Sequence, residues 1–222
     1  MTTKGDLTRQ HIIEKSMQLF SVKGYFKTSI AGIVKVTGLT KGGLYGHFGT
    51  KQEIWYAVYA ECVRIWKRIV FEGVRELSDP LARIDRVIEN NLKNYLGGRV
   101  FEGGCFLLNS LVDLSGQASA MSNHVLKGFM AFSELLHAWL VEAEQQGRLR
   151  EGLNLPAIAN FIVISLNGAA PLYSSSQDPA VWQQTMAQLH FYLNSLRKPP
   201  GRTAGPKSDQ KQPKGGLKPD IY

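Results

Sequence analysis

Residues 24–54, GYFKTSIAGIVKVTGLTKGGLYGHFGTKQEI, decide the reading of this chain. They divide into two short helices joined by a tight turn, with a third helix following at once. The first is expected over residues 28–36, with Ile30, Ile33 and Val34 on one inward face. Thr37-Gly38-Leu39-Thr40 is the turn. Gly38 supplies the positive φ that other residues resist, and Leu39 plugs the space beneath. Thr40 caps the next helix, expected over 41–48, in which Leu44 and Phe48 point inward four residues apart. Lys41, Gly42, Gly43, Tyr45, Gly46 and His47 are left facing out. A glycine turn between two amphipathic helices, with a basic and aromatic outer face, suits entry into a DNA major groove.

Working outward, a helix over 7–23 turns Ile12, Ile13, Met17, Leu19 and Phe20 inward and stops at Gly24, completing a three-helix head. Thr50 caps a long helix expected over 51–77, with Ile54, Val58, Ile65 and Ile69 as its buried stripe. That helix belongs to both head and body, so any shift in the body would swing the head. Asp79-Pro80 opens a further helix over 80–96, with Ile84, Val87, Ile88, Leu92 and Tyr95 at helical spacing. Glycine pairs at 97–98 and 103–104 bracket a loop before 105–114, and helices over 118–146, 155–173 and 179–196 follow. No alternating run argues for a strand, so the fold class is all-α. The chain divides into a head (1–50), a helical body (51–197) and a tail (198–222) rich in Pro, Gly and Lys, expected to be disordered.

Charge follows the same division. The net charge is +8, but residues 1–51 balance at +6, residues 52–196 at −3 and residues 197–222 at +5. A basic head on an acidic body is the footprint of a DNA-binding domain joined to something with another task. The tail reads as a solubilising segment or as a basic arm with non-specific DNA affinity. No stretch reads as a signal region or membrane span, and two cysteines, Cys62 and Cys105, fit a reducing cytoplasm.

Gly24-Tyr25, Thr28-Ser29-Ile30, Ile33, Gly38-Leu39, Lys41-Gly42, Leu44-Tyr45, His47-Phe48 and Thr50-Lys51 with Ile54 resemble the tetracycline-repressor (TetR) family of bacterial transcription regulators. Residues 104–109, GCFLLN, resemble a motif of one subgroup of that family. The resemblance implies a homodimer that binds a palindromic operator on double-stranded DNA and responds to a small hydrophobic or aromatic effector. It makes Tyr45, His47 and Lys51 phosphate contacts. Thr28 and Ser29, opening a helix, offer N–H groups and a hydroxyl to phosphate, while Thr40 and Lys41 lead the recognition helix with Gly42 and Gly43 behind them. Gly43 and Gly46 depart from the family pattern, which often carries base-facing side chains there. The departure predicts a marginal recognition helix and specificity that leans on DNA shape. Arg9 or Lys4 would brace the adjacent backbone or enter a minor groove.

The effector pocket implied by the resemblance lies among the helices from Ile54 to Gln146. Its candidate lining is Trp66, Tyr95, Phe101, Cys105 and Leu108, then Asn109, Phe129, Phe132 and His137; Asn109 and His137 are the polar residues on apolar stretches. Cys105, after two glycines at a helix start, is either a thiolate-prone sensor of electrophiles or a small core hydrophobe. Cys62 reads as structural. For the dimer interface, Ile158, Phe161, Ile162, Ser165 and Gly168 leave one helix without a polar face. Trp182, Met186, Leu189 and Leu193 form a heptad seam on the next, and the two pairs would make a four-helix bundle between subunits; the alternative is that both helices bury inside one monomer. The five His lie in no metal-ligand spacing with Cys or carboxylates, and there is no phosphate loop, dinucleotide fingerprint or nucleophile elbow. The reading is therefore a regulator without cofactor, metal or catalytic residues. A redox regulator acting through Cys105 and a body that docks a protein partner stand as alternatives.

Overall fold

The computed structural model describes residues 3–199, which form nine α-helices and no strand among the described residues. The tail from residue 200 on lies outside them. Helix α1 (Lys4–Lys27) begins with a reciprocal cap between Thr3 and Asp6. Gly24, expected to end it, instead breaks it at φ 73°, and one more helical turn runs on to Lys27. Helices α2 (Ile30–Thr37) and α3 (Lys41–Tyr45) are capped by Ser29 and Thr40 and separated by Gly38 at φ 68°. Ile12, Phe20, Ile33, Leu44 and Phe48 are the buried centre of the head.

Helix α4 (Lys51–Val70) carries Trp55 and Val58 inward and packs on α1. It ends seven residues earlier than its apolar pattern suggests. Asn90, buried on another element, donates its amide to Val70 O (3.1 Å) and Glu72 O (2.9 Å), closing the helix end. The expected helix over 80–96 forms in two parts. Helix α5 (Pro80–Glu89) has a regular α pitch, and Asn90–Leu96 continues it as a π-helical segment. Wider turns of this kind are frequent at functional sites. Helix α6 (Phe106–Leu114) returns toward α1, and α7 (Ser119–Gln145), α8 (Leu155–Ser176) and α9 (Ala180–Leu196) complete the body.

Helix α8 is long and apolar enough in composition to cross a membrane, unlike the expectation that no segment is, but here it packs between α7 and α9. Ile158, Ile162, Leu166 and Ala170 face that core. Leu189 and Leu193 of the heptad seam also lie inside the chain's own core, with Trp182 and Met186 half-buried beside them. The stripe is therefore the seam between α9 and its own body. Phe161 and Gly168, by contrast, face out, and Ser165 is half-buried with its hydroxyl donating to Phe161 O at 2.8 Å. The free outer face of α8 and α9 is marked by Phe161, Ile164, Leu172 and Phe191, exposed at 48%, 69%, 63% and 71%. Interface residues inferred from periodicity and those left open by folding are thus mostly different residues on the same two helices.

Candidate nucleic-acid interface and effector cavity

The turn from α2 into α3 sets the outer face of the head. Ser29 Oγ accepts from Gly32 N at 3.0 Å, and Thr40 Oγ1 accepts from Gly43 N at 3.0 Å, so each cap hydroxyl satisfies a free N–H of its helix. Ser29, Thr40, Lys41, Gly42, Gly43 and Tyr45 are exposed, and His47 is half-buried beside them. The Lys41 ammonium lies 5.9 Å from the centre of the Tyr45 ring. Helix α3 is only five residues long, stopping at Gly46 before the expected end at Phe48. A Cβ on Gly42 would meet nothing within 4 Å, and one on Gly46 would make only ordinary contacts. Neither glycine is demanded by the fold, so the bare surface is a property of the face itself.

Two expected phosphate contacts are committed elsewhere. Thr28 is buried and donates its hydroxyl to Gly24 O at 2.7 Å, which takes it out of reach of DNA. Lys51 turns inward: its Nζ donates to Tyr25 O (2.9 Å) and Thr28 O (3.0 Å) and sits 4.1 Å from the centre of the Tyr25 ring. Burial holds its pKa below the usual lysine value, with the Asp113 charge opposing that shift. The ammonium thus caps the last carbonyls of α1 and ties them to the start of α4. Arg9 lies with its guanidinium 4.5 Å from the centre of the Phe48 ring, also on the protein rather than away from it, while Lys4 is exposed.

A second tie between head and body went unread in the sequence. The Gly24 break leaves Tyr25 N free to donate to Asp113 Oδ2 of α6 at 2.6 Å. A Cβ on Gly24 would stand 2.8 Å from that same oxygen, so a glycine is required both for φ and for the approach. Helix α6 starts at Cys105 beside the body cavity and ends at this contact.

The cavity, about 490 Å³, lies among α4, the π-helical segment, α6, α7 and α8. Of the expected lining, Trp66, Tyr95, Cys105, Phe129 and Phe132 border it. Phe101 lies behind Tyr95, its ring 6.1 Å away, at a separate minor cleft. Leu108, Asn109 and His137 are not part of the wall. The Asn109 amide is spent on Gly103 O at 2.6 Å, which ties the loop before α6. For Asn109 the alternative to a ligand contact, a polar group satisfied within the protein, is the one the structure shows. The wall also includes Tyr59, Val63 and Lys67 of α4, Phe71 just beyond its end, Asn91, and His124 and Lys127 of α7, none of which stood out in the sequence. Tyr59 and Trp66 continue the α4 face by helical spacing, which is the signal that would have found Val63.

Cys105 lies against the Tyr95 hydroxyl, at 3.7 Å, and is buried. Desolvation pushes its thiol pKa up, outweighing the N–H groups of Leu108 and Leu107 at the helix start and the Tyr95 hydroxyl. Burial thus opposes the tendency toward thiolate that a helix start gives this cavity-wall cysteine. Cys62 is likewise buried, and desolvation raises its thiol pKa far above the usual range.

Comparison with known proteins bears on both halves. Residues 12–58 match the family described as bacterial regulatory proteins, tetR family, and residues 80–189 match the tetracyclin repressor-like C-terminal domain. The HTH-type transcriptional repressor DhaR of Mycobacterium sp. (strain GP1) is 26% identical over 164 residues, spanning 72% of this chain and 79% of DhaR. A TetR-family regulator from Cytophaga hutchinsonii has a TM-score of 0.79 at 23% identity, covering 89% of this chain and 98% of its own. AibR, solved in complex with isovaleryl coenzyme A and operator DNA, has a TM-score of 0.63 at 18% identity, covering 85% and 97%. With head and body both matched, and in that order along one chain, the protein belongs to the TetR family of bacterial regulatory proteins and is an all-α, DNA-binding transcription regulator.

Proposed function

We propose that the chain is a homodimeric repressor, acting in the cytoplasm, that leaves a palindromic operator when a small apolar effector enters the body. One observation carries the reading: Tyr59, Val63, Trp66 and Lys67 of the cavity wall belong to α4, whose first residue, Lys51, holds the end of α1. An occupant that moves α4 moves the head. The Asp113 contact gives α6 a second path from the cavity to the same place. The name of DhaR as a repressor, and the operator and isovaleryl coenzyme A bound to AibR, agree with the reading. The presence of a cavity also favours a small-molecule signal over a protein docked on the body.

Dimerisation would use the open outer face of α8 and α9, around Phe161, Ile164, Leu172 and Phe191. Two heads held about 34–36 Å apart then address successive major grooves. Ser29, Thr40, Lys41, Tyr45 and His47 would contact DNA, and bare Gly42 and Gly43 would let the backbone come close; the exposure of this face supports the assignment. Repression is relieved only if the effector binds the DNA-incompetent state more tightly.

Selection of genomic fragments by the purified chain at low and at high salt tests the DNA half. A short palindrome should be enriched at both, with half-sites one helical turn apart. Enrichment that vanishes at high salt and yields no motif would refute it.

A further inference from the structure

The charge around the cavity is one-signed. Lys67 and Lys127 border it, and no Asp or Glu does. The body as a whole (52–196) carries fourteen acids against eleven Lys and Arg, so a wall with two lysines and no acid is not inherited from its surroundings. Elsewhere in the body Arg64, Arg83, Arg86, Lys93 and Arg148 pair with a carboxylate, whereas Arg68, Arg75, Arg99 and Arg150 form no ion pair among the described residues. Among the described residues, neither the Lys67 nor the Lys127 ammonium has an ion-pair or hydrogen-bond partner.

Burial orders these groups. Both lysines are exposed, whereas Tyr95, Leu96, Val125, Phe132 and Leu166 of the same wall are buried. The cavity is therefore apolar in its depth and cationic at its rim. Such a site orients a ligand by its two ends: apolar surface leaves water inside, and charge is met where solvent still reaches.

We propose that the effector is an amphipathic anion, an apolar chain or ring system with a carboxylate or phosphate at one end, held tail-inward with its charge between Lys67 and Lys127. The inference rests on the reading of this cavity as the effector site. A neutral molecule of the same shape leaves both ammonium groups unused, and a cationic one is repelled by them.

The test compares decanoate, decyl phosphate, decanol and decylamine on the full chain freed of bound lipid, with binding read by calorimetry. At least one of the two anions should bind about tenfold tighter than decanol at low salt, and decylamine more weakly than either anion. The gap should narrow as salt rises, and the tighter anion identifies the head group. In the double variant Lys67→Gln/Lys127→Gln, anion affinity should fall to that of decanol while decanol is unchanged. Equal binding of anions and decanol, or an anion preference that survives in the double variant, overturns the charge selection while leaving the cavity as an effector site. Absence of binding by all four overturns both.

Discussion

Lys51 stands at the start of α4, where a family resemblance and a helix cap both suggest a phosphate contact, yet its ammonium is spent on Tyr25 O and Thr28 O. The difference is testable because the two roles have different readouts. Replacing Lys51 with Met should lower stability by about 1–3 kcal/mol, seen as a fall in urea midpoint, since two carbonyls lose a charged donor. Replacing Lys41 with Ala should leave the urea midpoint unchanged, weaken DNA binding and flatten the slope of affinity against salt by about one unit. A Lys51 variant of full stability but weakened DNA binding would return that residue to the interface. Thr28 illustrates the same lesson: a hydroxyl at a helix start was visible in the sequence, but its use by Gly24 O was not. Cys105 does too, since its place at the head of α6 was read correctly while the burial that raises its pKa comes from distant residues.

Among the elements, the ones legible in sequence were those whose signals are local. Thr40 and Thr50 each cap the helix assigned to them, and Gly38 makes the turn, while the helix expected from Thr28 starts two residues later, capped by Ser29. What was lost depended on partners far along the chain. The end of α4 is set by Asn90, and the bend of α1 is matched to Asp113. Helix α3 is five residues with two interior glycines, and Gly42 has open space around it. Gly42→Ala should therefore raise stability by up to about 1 kcal/mol, and Gly43→Ala by less, because its Cβ would stand 3.3 Å from Thr40 Oγ1. Thermal melts of both variants check this, and equal or negative shifts would contradict it.

The junction of α5 and α9 offers a pH test at the same scale. Asp85 faces His190 at 3.9 Å and Arg197 at 3.4 Å, with Asp79 nearby. Burial outweighs the attraction of these neighbours and raises its pKa above the ordinary carboxylate value of 3.8. The folded chain thus holds this proton more tightly than the unfolded one. The group's contribution is greatest below 3.8 and declines as pH rises through the raised value. Comparing wild type with Asp85→Asn, the wild type should gain melting temperature relative to the variant on going from pH 7 to mildly acid pH. A difference that does not change with pH would contradict the burial argument.

At the scale of the molecule, periodicity marks α8 and α9 as helices with a buried stripe, and folding covers part of that stripe within the chain itself. A heptad stripe through Leu189 and Leu193 says that a helix buries one side, not which neighbour covers it. Folding leaves Phe161, Ile164, Leu172 and Phe191 open instead, so the two classes should respond differently. Ile164→Glu with Phe191→Glu should give a folded monomer by sedimentation, with operator affinity lost along with the second head. Leu193→Ala should lower stability by about 2–5 kcal/mol without selectively splitting the dimer. A double variant that stays dimeric would place the interface elsewhere. The cavity wall was about half legible, because aromatics at helical spacing mark a core but not the void within it.

The central claim is that filling the body cavity weakens the grip on DNA, and it can be tested without knowing the effector. Ala131, in the exposed part of the cavity wall, is replaced with Trp so that the ring occupies the void, and affinity for a selected operator fragment is measured by fluorescence anisotropy beside the wild type. The account predicts a folded dimer of near-normal melting temperature whose operator affinity falls about tenfold or more. A folded dimer that binds the operator as tightly as wild type would contradict it.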